Sequence, residues 1–280
     1  MLKDERIVIL GPGVMGEAMA KSLLAVGEMQ ADQILMSGPR ENRLAALSEQ
    51  YGFQTTTDNQ AAVADAEIVI LAVKPQTVYS VMEDIKGALT ESALVISIVA
   101  GTPLRVLVEG MEHASVVRSM PNTPAQVAQG ITVWTATRAV SGRQLEQTRA
   151  VIGAFGEEIF VEDEDYLDMA TALSGTGPAY AFLFMEAMVD AGVHLGFPRR
   201  IAERLVVQTL KGAVAFYEHS PRHMARLRNQ VTSPGGTSAA ALYYLEKAGF
   251  RTAISRAIWA AYERSVQLGE GQKRGAVGTE

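Results

Sequence analysis

No cysteine occurs in this chain of 280 residues, so a disulfide framework and thiolate chemistry are both excluded. Histidine is nearly as scarce. His113, His194, His219 and His223 have no spacing that suggests a metal site or a catalytic triad. Positive charge is in deficit, with 25 Lys and Arg against 31 Asp and Glu, a net charge of −6 and a pI near 5.4. That argues against a nucleic-acid partner and against a polybasic membrane surface. Long hydrophobic runs are missing too. The longest uncharged apolar stretch, Met169 to Met185, is broken by Ser174-Gly175-Thr176-Gly177-Pro178, which rules out a membrane span there. Met1 to Arg6 leads straight into a strand-like run without a signal-peptide pattern, and a cytoplasmic protein is expected. What remains is an ordinary globular composition, 48% hydrophobic and 20% charged, at a length that suggests about two domains.

The first half alternates between strand and helix. Arg6 to Leu10 reads as a short buried parallel strand, and Gly11-Pro12-Gly13-Val14-Met15-Gly16 follows at once, ahead of a helical pattern from Glu17 to Val26. In that position G-x-G-x-x-G suits a pyrophosphate, which needs close backbone approach and a helix start; a plain strand-to-helix turn is the alternative. The second strand, Gln33 to Ser37, ends in Ser37-Gly38-Pro39-Arg40, with Arg43 one turn on. An NAD-selective site places Asp or Glu here for the ribose 2′-hydroxyl. A serine and two arginines suit a 2′-phosphate instead, unless both arginines are merely solvated. Glu67 to Val73 and Ala93 to Val99 read as further buried strands, closed by Lys74-Pro75 and Ala100-Gly101, with helical patterns at 40–51, 59–64 and 76–89. Val116 to Met120 and Ile131 to Thr135 extend the sheet, with Met120-Pro121-Asn122-Thr123-Pro124 as a loop at the ligand-binding edge. The pattern is that of a doubly wound α/β sheet, with ligands at the carboxyl ends of its strands. Lys74 falls at that edge, either as an exposed strand-end lysine or as a phosphate or ring contact.

After Glu162 the period changes and no strand pattern returns. The sequence predicts helices at 165–173, 179–195, 198–217, 237–248 and 251–268. The expected organisation is an N-terminal Rossmann-like domain, 1–162, which binds NAD(P), and an all-α domain, 163–280. The helix from Ala179 to Val193 carries Phe182, Leu183, Phe184, Met185, Met188 and Val189 almost all round. Burial against a second subunit would satisfy such a helix. Ser174-Gly175-Thr176-Gly177-Pro178 reads as the opening of this helix and as a second candidate anion site. Val231-Thr232-Ser233-Pro234-Gly235-Gly236-Thr237-Ser238 reads as a tight turn leading into a helix near Thr237. Such a helix start can hold an anion, with hydroxyls beside it to orient the molecule that carries it; a simple N-cap is the alternative.

Acid–base side chains are sparse, with no paired-carboxylate or Ser–His pattern. Alcohol oxidation would need a base. Reduction of a protonated imine asks only that the C=N group be positioned and its nitrogen steadied. The chain resembles pyrroline-5-carboxylate reductases over nearly its whole length. The resemblance rests on Gly11 to Gly16, Ala72-Val73-Lys74-Pro75, Asn122-Thr123-Pro124, Leu173 to Tyr180 and Val231 to Ser238, the last two being the most specific. It implies reduction of 1-pyrroline-5-carboxylate to L-proline with NADPH, or NADH, and a homodimer with intertwined helices that is open to further assembly. Implied cofactor contacts are Leu10, Gly11, Pro12, Gly13, Val14, Met15, Ser37, Asn59, Ala72, Val73, Lys74, Pro75, Ile98, Val99 and Ala100, to which the residue-level reading adds Arg40. Implied substrate contacts are Glu164, Gln230, Gly236, Thr237 and Ser238, with Ser238 as the hydroxyl at the imine nitrogen and no metal.

The chain departs from the family pattern at Ser238, where threonine is usual, and at Pro221, His223 and Met224, where a glutamate followed by His-Pro is common. Two other readings fit parts of the chain. A related NADP-dependent reductase acting on another imine or a 3-hydroxy acid would, for the hydroxy acid, need a base in the second half, where Lys211 sits in mid-helix. A nucleotide-binding redox sensor would not need two hydroxyl- and glycine-rich helix starts.

Overall fold

The structure, a computed structural model, describes residues 2–27, 29–220 and 222–269. It comprises two compact units: Met1–Thr176 together with the described chain from Ala260, and Gly177–Trp259. The sequence pattern changes near Glu162, whereas by packing the first unit runs on to Thr176.

The first unit is built on eight strands: β1 (Ile7–Leu10), β2 (Ile34–Ser37), β3 (Gln54–Thr56), β4 (Ile68–Leu71), β5 (Leu94–Ser97), β6 (Val116–Met120), β7 (Gly130–Ala136) and β8 (Gly156–Phe160). They form one sheet in the order β3-β2-β1-β4-β5-β6-β7-β8, parallel except where β7 runs against β6. The helices between them are α1 (Val14–Ala25), α2 (Glu41–Tyr51), α3 (Asn59–Val63), α4 (Val78–Ile85), α5 (Leu104–Met111) and α6 (Gly142–Gly153), and α7 (Tyr166–Ala170) follows β8. The strands β1, β4 and β5 read Ile-Val-Ile-Leu or nearly so because both of their faces are buried. Alternate residues then face opposite ways. Ile7, Ile9, Ile34, Met36, Ile68 and Ile70 pack under α1, α2 and α6. Val8, Leu10, Leu35, Val69, Leu71 and Val95 pack under α3, α4 and α5.

Five elements of this unit and the next escape the sequence patterns. β3 is only three residues long and β8 is largely exposed, so neither shows a hydrophobic signature. α5 is short. α6 is weakly apolar, although its Ser141–Gln144 capping box is a sequence signal in its own right. The fifth, α10 (Met224–Gln230), has no buried residue.

One buried cation ties the unit together. Arg118 on β6 has a side chain only 4% exposed, and it pairs with Glu164 at 2.8 Å and Asp168 at 3.0 Å. The same Glu164 oxygen accepts from the Leu104 amide at 2.7 Å, at the start of α5. Asp168 also accepts from the hydroxyl of Ser265 at 2.5 Å.

The second unit contains α8 (Gly177–His194), α9 (Arg199–His219), α10, α11 (Thr237–Lys247) and the start of α12 (Phe250–Gly269). Gly192 lets α8 approach α9 closely, since a Cβ there would lie 3.0 Å from that of Ala202. Among the described residues, the buried apolar core of this unit is Val189, Ala202 and Val206. Phe182, Leu183, Leu205, Val214, Tyr244 and Trp259 are each about half exposed or more. Burying a fully exposed side chain of this kind gains roughly 1.5–3 kcal/mol, so each of these stands to gain about half that or more. Together the gain is comparable with a typical domain's net stability.

Removing Arg118 would leave two carboxylates facing each other with little solvent. Arg118→Met is expected to cost about 3–5 kcal/mol in urea denaturation, as for other broken buried ion pairs. Arg105→Ala, which breaks the exposed pair with Glu109, should leave the midpoint unchanged. Equal midpoints for the two variants would show that Arg118 carries no such weight.

Candidate active site

The sheet reverses direction of growth between β1 and β4, and the first glycine turn sits at that switch point. Gly11 donates to Ser37 O at 2.9 Å, and Ala72 donates to Leu10 O at 2.8 Å, so the ends of β1, β2 and β4 are joined. Gly11 has φ +108°, and a Cβ on it would lie 2.6 Å from Ala72 O. Only glycine fits. A Cβ on Gly16 would meet Gly11 O at 2.3 Å, whereas Gly13 faces open space. Closed backing at Gly11 and Gly16 with an open face at Gly13 is what a dinucleotide pyrophosphate at the start of α1 requires. The residues present therefore fit such a cofactor.

The predicted contact residues gather along this edge. Leu10 ends β1; Gly11, Pro12 and Gly13 form the turn; Val14 and Met15 open α1. Ser37 ends β2, and its hydroxyl donates to Asn59 Oδ1 at 2.7 Å, while Asn59 Nδ2 donates to Asp84 at 2.8 Å. Ala72 and Val73 follow β4, and Lys74, exposed, precedes the 3₁₀ turn Pro75–Thr77. Ile98, Val99 and Ala100 follow β5. A cavity of about 450 Å³ opens here, lined by Gly38, Pro39, Thr57, Asn59, Val73, Thr77 and Asp84 among others. Another cavity of about 350 Å³ lies at the opposite edge of the sheet, lined by Glu5, Glu67, Glu91 and Arg143 among others. Its surplus of carboxylates would repel a phosphate.

The two arginines expected at a 2′-phosphate part company. Arg40 is exposed at the N-cap of α2, with no side-chain cap bond. Arg43 is engaged instead: Nε donates to Pro12 O at 3.0 Å, and Nη2 forms a very short ion pair with Glu17. Tyr51 donates to the other Glu17 oxygen at 2.8 Å. Burial opposes ionisation of Glu17, but the hydrogen bonds from Arg43 and Tyr51 outweigh it and hold the carboxyl below its ordinary pKa. The bond to Glu17 pushes the Tyr51 phenol up, so it stays a donor. Neither Glu17 nor Tyr51 was legible as a site residue, since their meeting depends on α1 and α2 packing together.

The predicted substrate residues fall in both units. In the first, Glu164 stands just before α7, with one oxygen held by Arg118 and the Leu104 amide. In the second, Gln230 ends α10, Gly236 is the N-cap of α11, and Thr237 and Ser238 open that helix. Gly235 has φ +72°, a conformation that favours glycine, while a Cβ on Gly236 would lie 2.5 Å from Ser233 Oγ and ask only that this hydroxyl turn aside. A glycine N-cap has no side chain to satisfy the first amides of α11. Thr237 and Ser238 hydroxyls take part in no hydrogen bond among the described residues. The helix start is thus open, in contrast to α6, where the Ser141–Gln144 box closes it.

The helix start expected at Ser174 to Pro178 is found, with Gly177 first in α8, but the hydroxyls beside it are engaged. Ser174-Gly175-Thr176-Gly177-Pro178 does not follow a loop, because α7 passes into a π-helical turn, Thr171–Gly175, ahead of α8. Ser174 and Thr176 donate their hydroxyls to Ala170 O at 3.0 Å and Thr171 O at 2.8 Å. Polar residues that looked available for a ligand are consumed by the backbone of the wide turn. Of the residues departing from the family pattern, Pro221 lies outside the described residues. His223 caps α10 through its Nδ1, and Met224 is exposed.

Comparison with known proteins agrees with this geometry. Residues 164–268 match the family model for pyrroline-5-carboxylate reductase dimerisation, so the chain carries a dimerisation domain. Residues 6–101 match the model described as NADP oxidoreductase coenzyme F420-dependent. The pyrroline-5-carboxylate reductase of Synechocystis sp. is 40% identical over 262 residues, covering 94% of this chain and 97% of that one. The Escherichia coli protein of the same name is 34% identical, covering 95% and 98%. The crystal structure of the Plasmodium falciparum pyrroline carboxylate reductase with NADP bound superposes with a TM-score of 0.88 at 31% identity, covering 95% and 99%. An open glycine turn at the switch point, an uncapped hydroxyl-bearing helix start and relatives matched end to end lead to one conclusion: the chain belongs to the pyrroline-5-carboxylate reductase family.

Proposed function

We propose that this chain reduces 1-pyrroline-5-carboxylate to L-proline by hydride transfer from NADPH, or NADH, as the last step of proline biosynthesis. The observation that carries the reading is the start of α11, where the first amides have no side-chain cap and the hydroxyls of Thr237 and Ser238 lie side by side. The nicotinamide supplies the hydride. The protein has three tasks: to hold the cofactor at the edge formed by Leu10 to Met15, Ala72 to Pro75 and Ile98 to Ala100, to hold the substrate carboxylate, and to steady the ring nitrogen. Amides near Gly236 and Thr237, at the positive end of α11, suit the carboxylate. Ser238 Oγ suits the nitrogen, and Glu164 and Gln230 complete the substrate contacts. Residues 1–162 would serve the cofactor, and 163–280 the substrate and a second protomer. An acidic, cysteine-free chain suits a cytoplasmic setting. Mixing the protein with NADPH and pyrroline-5-carboxylate and following cofactor absorbance tests the activity; no oxidation of NADPH would reject it.

Ser238→Ala is expected to lower turnover about a hundredfold, the effect of losing one preorganised donor in the transition state, and to leave NADPH affinity intact. Unaltered turnover would move the role to Thr237 or to a water. Arg40, exposed at the start of α2, is the residue assigned here to the 2′-phosphate. Arg40→Ala should weaken NADPH binding roughly ten- to a hundredfold and leave NADH almost unchanged. Equal weakening of both would make Arg40 structural.

The working unit in this proposal is a homodimer, open to further assembly. The exposed apolar side chains of α8, α9 and α12 support it, because a closed twofold pairing would bury them. In that dimer the Val231–Ser238 turn of one protomer serves the cofactor held by the other. Refolding a Gly13→Asp chain together with a Ser238→Ala chain should restore part of the activity in mixed dimers. No recovery in demonstrated heterodimers would mean that each chain supplies its own complete site.

A further inference from the structure

Glu17 stands where a cofactor phosphate would least tolerate a carboxylate. It lies in the first turn of α1, whose start backs the open face of Gly13. A helix start stabilises an incoming phosphate, and a fixed negative charge beside it does the reverse. Both oxygens of Glu17 are occupied from α2, one by the Arg43 guanidinium and the other by the Tyr51 hydroxyl. The same guanidinium reaches into the glycine turn itself, where Nε donates to the carbonyl of Pro12 at 3.0 Å. Its side chain is 29% exposed and that of Glu17 24%, so the pair is partly shielded from water.

We propose that Arg43 is a positioning residue for the cofactor's pyrophosphate: it cancels the Glu17 charge at the start of α1 and fixes the Pro12 carbonyl of the turn. It does not read the 2′-phosphate, so it acts alike on NADPH and NADH, and discrimination between them is left to Arg40. A lysine could carry the charge but could not make both contacts from one rigid planar fork. The inference rests on the dinucleotide reading of this site and deepens it.

The test compares the dissociation constants of NADPH, NADH and 2′-AMP, which carries the 2′-phosphate and no pyrophosphate, for the full-length protein. Arg43→Ala should weaken NADPH and NADH by the same factor, about tenfold, and leave 2′-AMP unchanged. Adding Glu17→Gln to Arg43→Ala should recover most of that loss, because the offending charge is then gone. Arg43→Lys should fall between wild type and alanine. Loss confined to NADPH would make Arg43 a 2′-phosphate ligand and overturn the proposal. Equal loss of 2′-AMP, or no recovery with Glu17→Gln, would overturn it in favour of a general packing role. If Arg43→Ala does not fold, Glu17→Gln alone still decides: it must bind both dinucleotides at least as tightly as wild type, and weaker binding of both rejects the idea. A wild-type protein that binds neither dinucleotide would instead remove the cofactor reading on which the inference stands.

Discussion

Everything in the first unit depends on how closely three strand ends can meet. Gly11 bonds to the end of β2 while Leu10 bonds to the residue after β4, and the space left between Gly11 and the Ala72 carbonyl excludes even a methyl group. Because β4 returns to the far side of β1, the helices that follow β1 and β4 leave the sheet on opposite faces. A crevice must open where they part, and it opens at the positive end of α1. Cofactor chemistry is thus a consequence of strand order. The glycines set how closely a ligand approaches.

The second unit answers to a different constraint, the disposal of apolar surface. Val189, Ala202 and Val206 make a very small core for five helices or parts of helices. A sequence this apolar on several helix faces is not arranged to be stable alone in water. The dimerisation domain matched over residues 164–268 supplies the physical answer, since a self-complementary surface removes the excess from solvent. In the proposed reading the turn before α11 serves the substrate, which ties catalytic geometry to assembly.

Charge is placed with similar economy. Arg118 and Arg43 each bridge elements distant in sequence, and each neutralises carboxylates that would otherwise face a low-dielectric interior or a ligand phosphate. Their guanidinium forks reach two partners at fixed angles, a geometry a lysine ammonium cannot supply. Removing acid–base groups from the chemistry is part of the same design. An imine that carries its own positive charge needs orientation more than proton transfer, and an open helix start with a hydroxyl would suit that.

By itself the sequence determined the doubly wound first half, the helical second half, the two glycine-rich turns and the family. These features rest on local patterns: uninterrupted Val/Ile runs for strands buried on both faces, turn residues at fixed offsets, and helical periodicity. The hydroxyls of Thr237 and Ser238 were legible for the same reason, since Gly235 and Gly236 announce an uncapped helix start. Tertiary structure alone decided the rest. Arg40 and Arg43 look equivalent in sequence, yet only the packing of α2 on α1 gives Arg43 a carboxylate and a carbonyl to hold. Ser174 and Thr176 looked as available as Thr237 and Ser238, and the π-helical turn over Thr171–Gly175 took their hydroxyls. Arg118, Glu164, Asp168 and Ser265 carry no mark of their association, because hydrogen bonds spanning dozens of residues leave no periodicity in the chain. Local signals fix what each segment can become, and long-range contacts choose which of its polar groups remain free for a ligand.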